Sequence, residues 1–122
     1  MSSGDFRDLE VWKKARQMTI AVYEPTDKGA LARDFGLRDQ MRRAAVSVEA
    51  NVVEGYGLST GPLFRRHLRI ALGSAAEAEC LVRLAEELEY LPAERAGELL
   101  ALADGSIAAL QGLLRVPLAT KC

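Results

Sequence analysis

FGLRDQMRRAAVSVEANVVEGYG, residues 35–57, reads as one long helix. Its middle, Ala44 to Val53, is almost all small or apolar, yet polar side chains recur inside it. Gln40, Ser47, Asn51 and Glu54 follow one another at steps of seven, four and three. That spacing puts them on one stripe of a helix. A helix that is apolar on several sides is covered on several sides, so the stripe faces protein rather than water. Polar groups held there need partners, because an unmet one costs roughly 1–3 kcal/mol. The stretch therefore informs on helix packing and assembly more than on chemistry.

Its start falls between Leu31 and Arg38, with Gly36 weakening the earlier choice. Its end falls at Gly55 or Gly57, since glycine just past the last periodic residue is the usual stop. A turn follows, Gly57-Leu58-Ser59-Thr60-Gly61, in which Ser59 or Thr60 caps the next helix and Pro62 suits its first turn. That next helix runs from Pro62 to about Glu89, roughly 40 Å at ~1.5 Å per residue. Phe64, Leu68, Ala71, Ala75, Ala78, Val82 and Ala85 make one seam along it, and Leu63, Ile70, Leu81, Leu84 and Leu88 make a second. Two seams imply two packing surfaces, one for the core and one for a neighbouring subunit.

On the N-terminal side a helix spans Leu9 to about Tyr23, with Asp8 as its N-cap and Pro25 as its stop. Val11, Ala15, Met18 and Val22 form its seam, flanked by Trp12, Thr19 and Tyr23. On the C-terminal side Leu91-Pro92 breaks the chain. A last helix then carries Ala96, Leu99, Ala103, Ile107, Leu110 and Leu114 inward until Val116-Pro117. Gly97, Gly105 and Gly112 weaken it by up to ~1 kcal/mol each relative to alanine. Short connections favour antiparallel neighbours. The reading is an all-α, antiparallel up-down four-helix bundle over 9–116, with a flexible start at 1–8 and a tail at 117–122.

Composition agrees. A chain of 122 residues is one domain, and 49% hydrophobic residues with only 6% aromatics favour helices packed through Ala and Leu. The formal charge of −1 hides an asymmetry: residues 1–73 hold 12 Lys+Arg against 9 Asp+Glu, residues 74–122 hold 4 against 8. No secretory leader and no run of 18 apolar residues are present, which predicts no membrane partner. Two cysteines, Cys80 in mid-helix and Cys122 at the end, make no disulfide framework and fit a reducing cytoplasm. Cys80 is expected as a small buried hydrophobe, and Trp12 and Tyr23 as packing residues.

Folding the two central helices back about Leu58 sets residue 58−k beside 58+k. Arg43 then meets Glu77, Ser74 serves Gln40, and Glu54 meets Arg65 or Arg66. Gly73 is expected to let the backbones approach. Gln40, Arg43, Ser47, Asn51, Glu54, Ser74 and Glu77 thus make an inter-helix polar stripe that fixes register. Arg38, Arg42, Arg65, Arg66 and Arg69 are the candidates for contacting phosphates, on one elongated patch across both helices. The competing reading is a solvated face with ion pairs to Asp39, Glu54 and Glu77. Tyr56 is the one obvious base-stacking partner, so binding should be steep in salt and weak in sequence preference.

Enzyme chemistry lacks its parts. The single histidine, His67, has no Glu-x-x-His or His-x-x-x-His companion for a metal, and neither a phosphate-cradling loop nor a nucleophile–base pair is present. No catalytic residue, metal ligand or cofactor is expected.

Five separated motifs carry a resemblance: Phe6-x-Asp8-Leu9-x-Val11-Trp12-x-Lys14-Ala15; Gly36-Leu37-x-x-Gln40-x-Arg42-Arg43-Ala44-Ala45-Val46-Ser47; Ala50-Asn51-x-x-Glu54-Gly55; Phe64-x-x-x-Leu68-x-Ile70-Ala71-x-Gly73-Ser74-x-x-Glu77; and Leu88-x-Tyr90-Leu91. Over residues 5–91 the chain resembles the four-helix-bundle proteins encoded in intervening sequences of bacterial large-subunit ribosomal RNA genes. These have carried a ribosomal protein label. They are similar in turn to the accessory variability proteins of diversity-generating retroelements. The resemblance implies a ring-shaped homopentamer and, through the retroelement relatives, binding of RNA or DNA and of a protein partner such as a reverse transcriptase. The leading expectation is a non-enzymatic assembly or adaptor protein that binds nucleic acid through its basic face. A protein-binding module for a neighbouring gene product and a ribosome-associated factor are the alternatives.

Overall fold

The computed structural model describes residues 5–58 and 61–115. All regular structure among them is helical: a 3-10 turn at Phe6–Asp8, then α1 (Glu10–Tyr23), α2 (Ala30–Arg33), α3 (Phe35–Leu58), α4 (Gly61–Glu87) and α5 (Ala93–Leu114). α2 is a single turn, leaving four long helices. Each packs on two neighbours in the order α1, α3, α4, α5 and back to α1, a square bundle. Cross-helix pairs give the direction. Arg16 reaches Glu49, and Thr19 reaches the carbonyl of Ala45. Higher numbers on α1 meet lower ones on α3, so the two run antiparallel. The α3–α4 pairs behave likewise.

Large side chains (Met18, Met41, Leu68, Leu99, Leu110) fill the centre, and Ala15, Ala44, Ala45, Ala71, Ala75, Ala85 and Ala96 are fully enclosed between helices. Alanine at these crossings lets helix axes approach, which is how a chain poor in aromatics closes a core.

The chain starts differently from expectation. Asp8 does not cap α1: it ends the 3-10 turn, and Leu9 holds the N-cap position with no side-chain cap bond. Asp5 caps that turn instead, its carboxylate accepting from the Arg7 N–H at 2.9 Å and gripping the guanidinium. The Arg7 hydrogen bonds hold the Asp5 carboxyl below its ordinary range. Residues 5–8, expected to be flexible, pack through Phe6 edge-on to Trp12 with ring centres 5.3 Å apart.

α3 begins at Phe35 because Asp34 caps it, its Oδ1 accepting from Leu37 N–H at 3.1 Å. Asp34 Oδ2 accepts from the Tyr90 hydroxyl at 3.1 Å, so one carboxylate ties the start of α3 to the α4–α5 turn. That hydrogen bond raises the Tyr90 phenol above its usual pKa. The proposed Ser59 or Thr60 cap lies outside the described residues.

α4 ends in a Schellman motif: Tyr90 N–H bonds to Ala85 O and Glu89 N–H to Glu86 O, both at 2.9 Å, with Glu89 at φ 62°. A Cβ is penalised there. Glu89→Gly is expected to stabilise the fold by ~0.5–1 kcal/mol, read as a higher denaturant midpoint.

α5 buries Ala96, Leu99, Ala103, Ser106 and Leu110, so Ser106 rather than Ile107 sits at the centre of its inward face. The Ser106 hydroxyl is buried without a partner. Ser106→Ala removes a desolvated, unmet polar group and gains helix propensity, so stability should rise by about 1 kcal/mol in a denaturant titration. By length and composition α5 is apolar enough to cross a membrane. Here its inward side is packed against α1 and α4, and its flank carries Glu98 and Asp104.

Candidate functional site

The polar stripe of α3 lies against α4, as its spacing requires, and its groups are paired from one end to the other. Arg43 donates to Gln40 Oε1 at 2.6 Å and to Glu77 Oε2 at 2.5 Å. One turn on, the Ser47 and Ser74 hydroxyls are 2.8 Å apart. Asn51 Nδ2 donates to the Ser47 carbonyl at 2.9 Å and to the Ser47 hydroxyl at 3.1 Å. Asn51 Oδ1 lies 3.0 Å from His67 Nδ1. Since the Asn51 amide nitrogen is spent on Ser47, its oxygen is the atom that faces the imidazole. Glu54 places its carboxylate 3.9 Å from His67 Nδ1.

His67 is the member of this ladder that spacing rules about metals and catalysis overlooked. It sits two turns before Ser74 on the α3-facing side of α4, with its side chain only 14% exposed. The signal was present: the step of seven from His67 to Ser74 repeats the step from Gln40 to Ser47.

The close approach of the two backbones is also displaced from expectation. Gly73 is exposed, and a Cβ built on it meets nothing within 4 Å. Gly55 makes the approach instead: a Cβ there would stand 2.7 Å from His67 Cβ and 3.1 Å from Phe64 Cδ1. α3 runs on past it to Leu58, so Gly55 is an interior helix residue rather than a stop. Glycine is tolerated in that helix because only the absence of a side chain lets His67 cross it.

The five candidate arginines do not form one patch. Arg42 Nε donates to Thr26 Oγ1 at 2.8 Å and Nη2 to the Thr26 carbonyl at 3.0 Å, with the guanidinium 4.4 Å from the centre of the Tyr23 ring. Arg38 donates to Asp39 at 2.9 Å and to the Ala32 carbonyl at 3.2 Å, and lies over Phe35. Both clamp the connection between α1 and α3. At about 100° per residue, Arg42 stands roughly 180° around α3 from Asn51, away from α4. Arg69 stands roughly 160° around α4 from His67, away from α3. Arg66 and Arg69 are exposed near the start of α4. Arg65, Arg66 and Arg69 therefore form one basic end, separate from the arginines of α3.

Tyr56 packs edge-on to Phe64 with ring centres 6.2 Å apart, and Tyr23 lies under Arg42. Trp12 is half-buried, with Arg16 over its ring at 4.8 Å. Cys80 is exposed, against expectation, because the apolar seam of α4 passes through Ala78 and Val82 and leaves residue 80 on the outer side. Among the described residues no group of His, Cys, Asp and Glu is arranged to hold a metal.

A cleft at the end of the bundle is lined by Pro25, Tyr90, Pro92, Arg95 and Glu98. Arg95 is already paired there with Glu24 and Glu98.

The fold has a close counterpart among solved structures. It is similar to the crystal structure of a protein with unknown function from the S23 ribosomal protein family of Bacteroides thetaiotaomicron VPI-5482. The TM-score is 0.75 at 19% identity, covering 87% of this chain and 99% of that one. No curated protein matches. The model of the 23S rRNA-intervening sequence protein family matches residues 7–112. With the polar ladder and both central helices inside that span, the chain belongs to the 23S rRNA-intervening sequence protein family.

Proposed function

We propose that the protein is a non-enzymatic, self-assembling helical scaffold that closes into a homopentameric ring and holds RNA or DNA phosphates at the basic end of α4. The observation that carries the self-assembly is the exposed flank of α4 beside its contact with α3. Leu63, Ile70 and Leu84 of α4 and Leu88 just past its end are 41%, 44%, 42% and 47% exposed. Scattered apolar residues are ordinary on a surface, but several recurring along one flank of a helix are what an interaction face needs. Completing the burial of four such side chains contributes a few kcal/mol per contact, at ~1.5–3 kcal/mol for a fully buried one.

Light scattering tests the assembly. Five copies of the 13.3 kDa chain are expected. A particle of one chain's mass in dilute solution overturns it. Arg65, Arg66 and Arg69 supply the phosphate contacts, through forked donors that suit phosphate oxygens. Filter retention of RNA and DNA should fall steeply between low and high salt, and no retention at low salt removes this part of the proposal.

A further inference from the structure

We infer that nucleic acid lies across the outer side of the second half of α5, between Arg69 of α4 and Lys14 of α1, with Arg115 as a further phosphate contact, and that its backbone is held without regard to base sequence. The inference rests on the phosphate binding proposed above and adds the surface, two further contact residues and the manner of recognition.

Charge is sorted along the α4–α5 pair. Residues 61–74 hold Arg65, Arg66 and Arg69 and no carboxylate, and residues 105–115 hold Arg115 and no carboxylate. Residues 75–87 hold Arg83 against Glu77, Glu79, Glu86 and Glu87, and residues 93–104 hold Arg95 against Glu94, Glu98 and Asp104. The short turn between α4 and α5 makes them antiparallel, so residue 90−k lies roughly beside 90+k. Arg65 is then level with Arg115, and Arg69 with Gln111. The carboxylate-free halves stand side by side, and the carboxylates gather at the other end. A polyanion is drawn to the first and repelled by the second.

The helical repeat brings cations from three helices to one surface. At about 100° per residue, Arg65 and Arg69 stand roughly 160° around α4 from His67, away from α3. Arg115 stands roughly 160° around α5 from Arg95, which reaches Glu24 at the end of α1, so Arg115 is on the flank toward α4. Lys14 stands roughly 160° around α1 from Arg16, which reaches Glu49 of α3, so Lys14 is on the flank toward α5. The Glu24–Arg95 pair also fixes the height of α1 against α5 and sets Lys14 near Gly105. Lys14, Arg66, Arg69 and Arg115 are exposed, and none of the four is in an ion pair among the described residues. Glu10, one turn before Lys14, is paired with Lys13 at 3.3 Å, and Asp104 stands where the acidic half begins.

Between these cations the surface is low. Ala108 is exposed, and a Cβ added to Gly105 or Gly112 meets nothing within 4 Å. A sugar–phosphate chain can approach the helix closely there. No aromatic residue occurs in 105–115, and Phe64 packs against Tyr56. With no ring offered for stacking, contacts fall on phosphates, which carry no sequence information. The flank of α4 proposed for self-assembly borders α3 and is not part of this surface.

Filter retention of single-stranded RNA and DNA across a salt titration tests the surface. Arg115→Gln and Lys14→Gln are each expected to weaken binding several-fold at low salt and to reduce the slope of log affinity against log salt by about one. Ala108→Glu, which sets a carboxylate amid the cations, should weaken binding by roughly tenfold or more. Arg83→Gln and Ala101→Glu, the matching changes in the acidic halves, should keep the parent affinity and slope. Probes of different base composition should bind within about threefold of one another. All five substitutions are at exposed positions, and unfolding titrations check that each variant stays folded. If the parent binds and Arg115→Gln, Lys14→Gln and Ala108→Glu all keep its affinity and slope, this surface is wrong and phosphate binding at Arg66 and Arg69 stands. A strong preference for one base overturns recognition by the backbone. No retention by the parent overturns both proposals.

Discussion

Gly55→Ala is expected to destabilise the protein by about 1–3 kcal/mol, although alanine is the better helix former by ~1 kcal/mol. The added methyl would meet His67 Cβ at 2.7 Å and Phe64 Cδ1 at 3.1 Å. A Cβ is fixed to the backbone and cannot swing aside, so α4 itself must move away from α3. That movement also stretches the 3.0 Å contact from Asn51 to His67 and the 2.8 Å contact between Ser47 and Ser74, which lie on the same seam. Polar groups loosened inside a packed seam lose partners that water cannot fully replace. Gly97→Ala is the control. Nothing lies within 4 Å of a Cβ at that residue, so alanine there should raise stability by up to ~1 kcal/mol. Denaturant midpoints of the two variants should move in opposite directions. A Gly55→Ala protein more stable than its parent would mean that the helices do not touch there.

Arg42→Ala is expected to cost about 2 kcal/mol or more. Thr26 is fully buried, and Arg42 supplies charged donors to both its hydroxyl and its carbonyl. Hydrogen bonds to charged groups are each worth roughly 1.5–3 kcal/mol, and truncation leaves the carbonyl unmet. The contact of the guanidinium with the Tyr23 ring is lost as well, adding ~0.5–1 kcal/mol at such a partly exposed site. Lysine should not restore the loss, because one ammonium cannot span both oxygens while lying flat on a ring. Arg66→Ala and Arg69→Ala, on exposed positions, should change stability by less than ~0.5 kcal/mol and should lower retention of polyanions. Unfolding titrations and filter binding on the same three variants separate the roles. If Arg42→Ala unfolds at the parent midpoint but loses polyanion retention, the clamp assignment fails.

These two residues show where one-dimensional reading stops. Arg42 and Arg69 both stand in basic runs, and a run has no side. Once α3 and α4 pair through Ser47 and Ser74, the helical repeat turns Arg42 toward Tyr23 and Arg69 away from α3. Glycine poses the same difficulty. Gly55 and Gly73 are alike in sequence, and only the height at which α3 crosses α4 makes one a contact and leaves the other bare. Asp34 was illegible for a related reason. Its role as cap depends on the chain breaking after α2, and its second oxygen is met by Tyr90, 56 residues away.

What the amino-acid order determined by itself was periodic and local: four long helices, their antiparallel succession, the apolar seams, and the stripe that became the Arg43–Glu77 and Ser47–Ser74 contacts. Side-chain spacing along a helix encodes these directly, because each face repeats every 3.6 residues or so. Only the tertiary structure decided which seam of α4 the core consumes and which stays outside, which arginines are spent inside the bundle, and that His67 completes the ladder at Gly55. Those choices depend on the height and rotation at which two helices meet. Both are set by the packing of all four together, and no single stretch of the chain contains them.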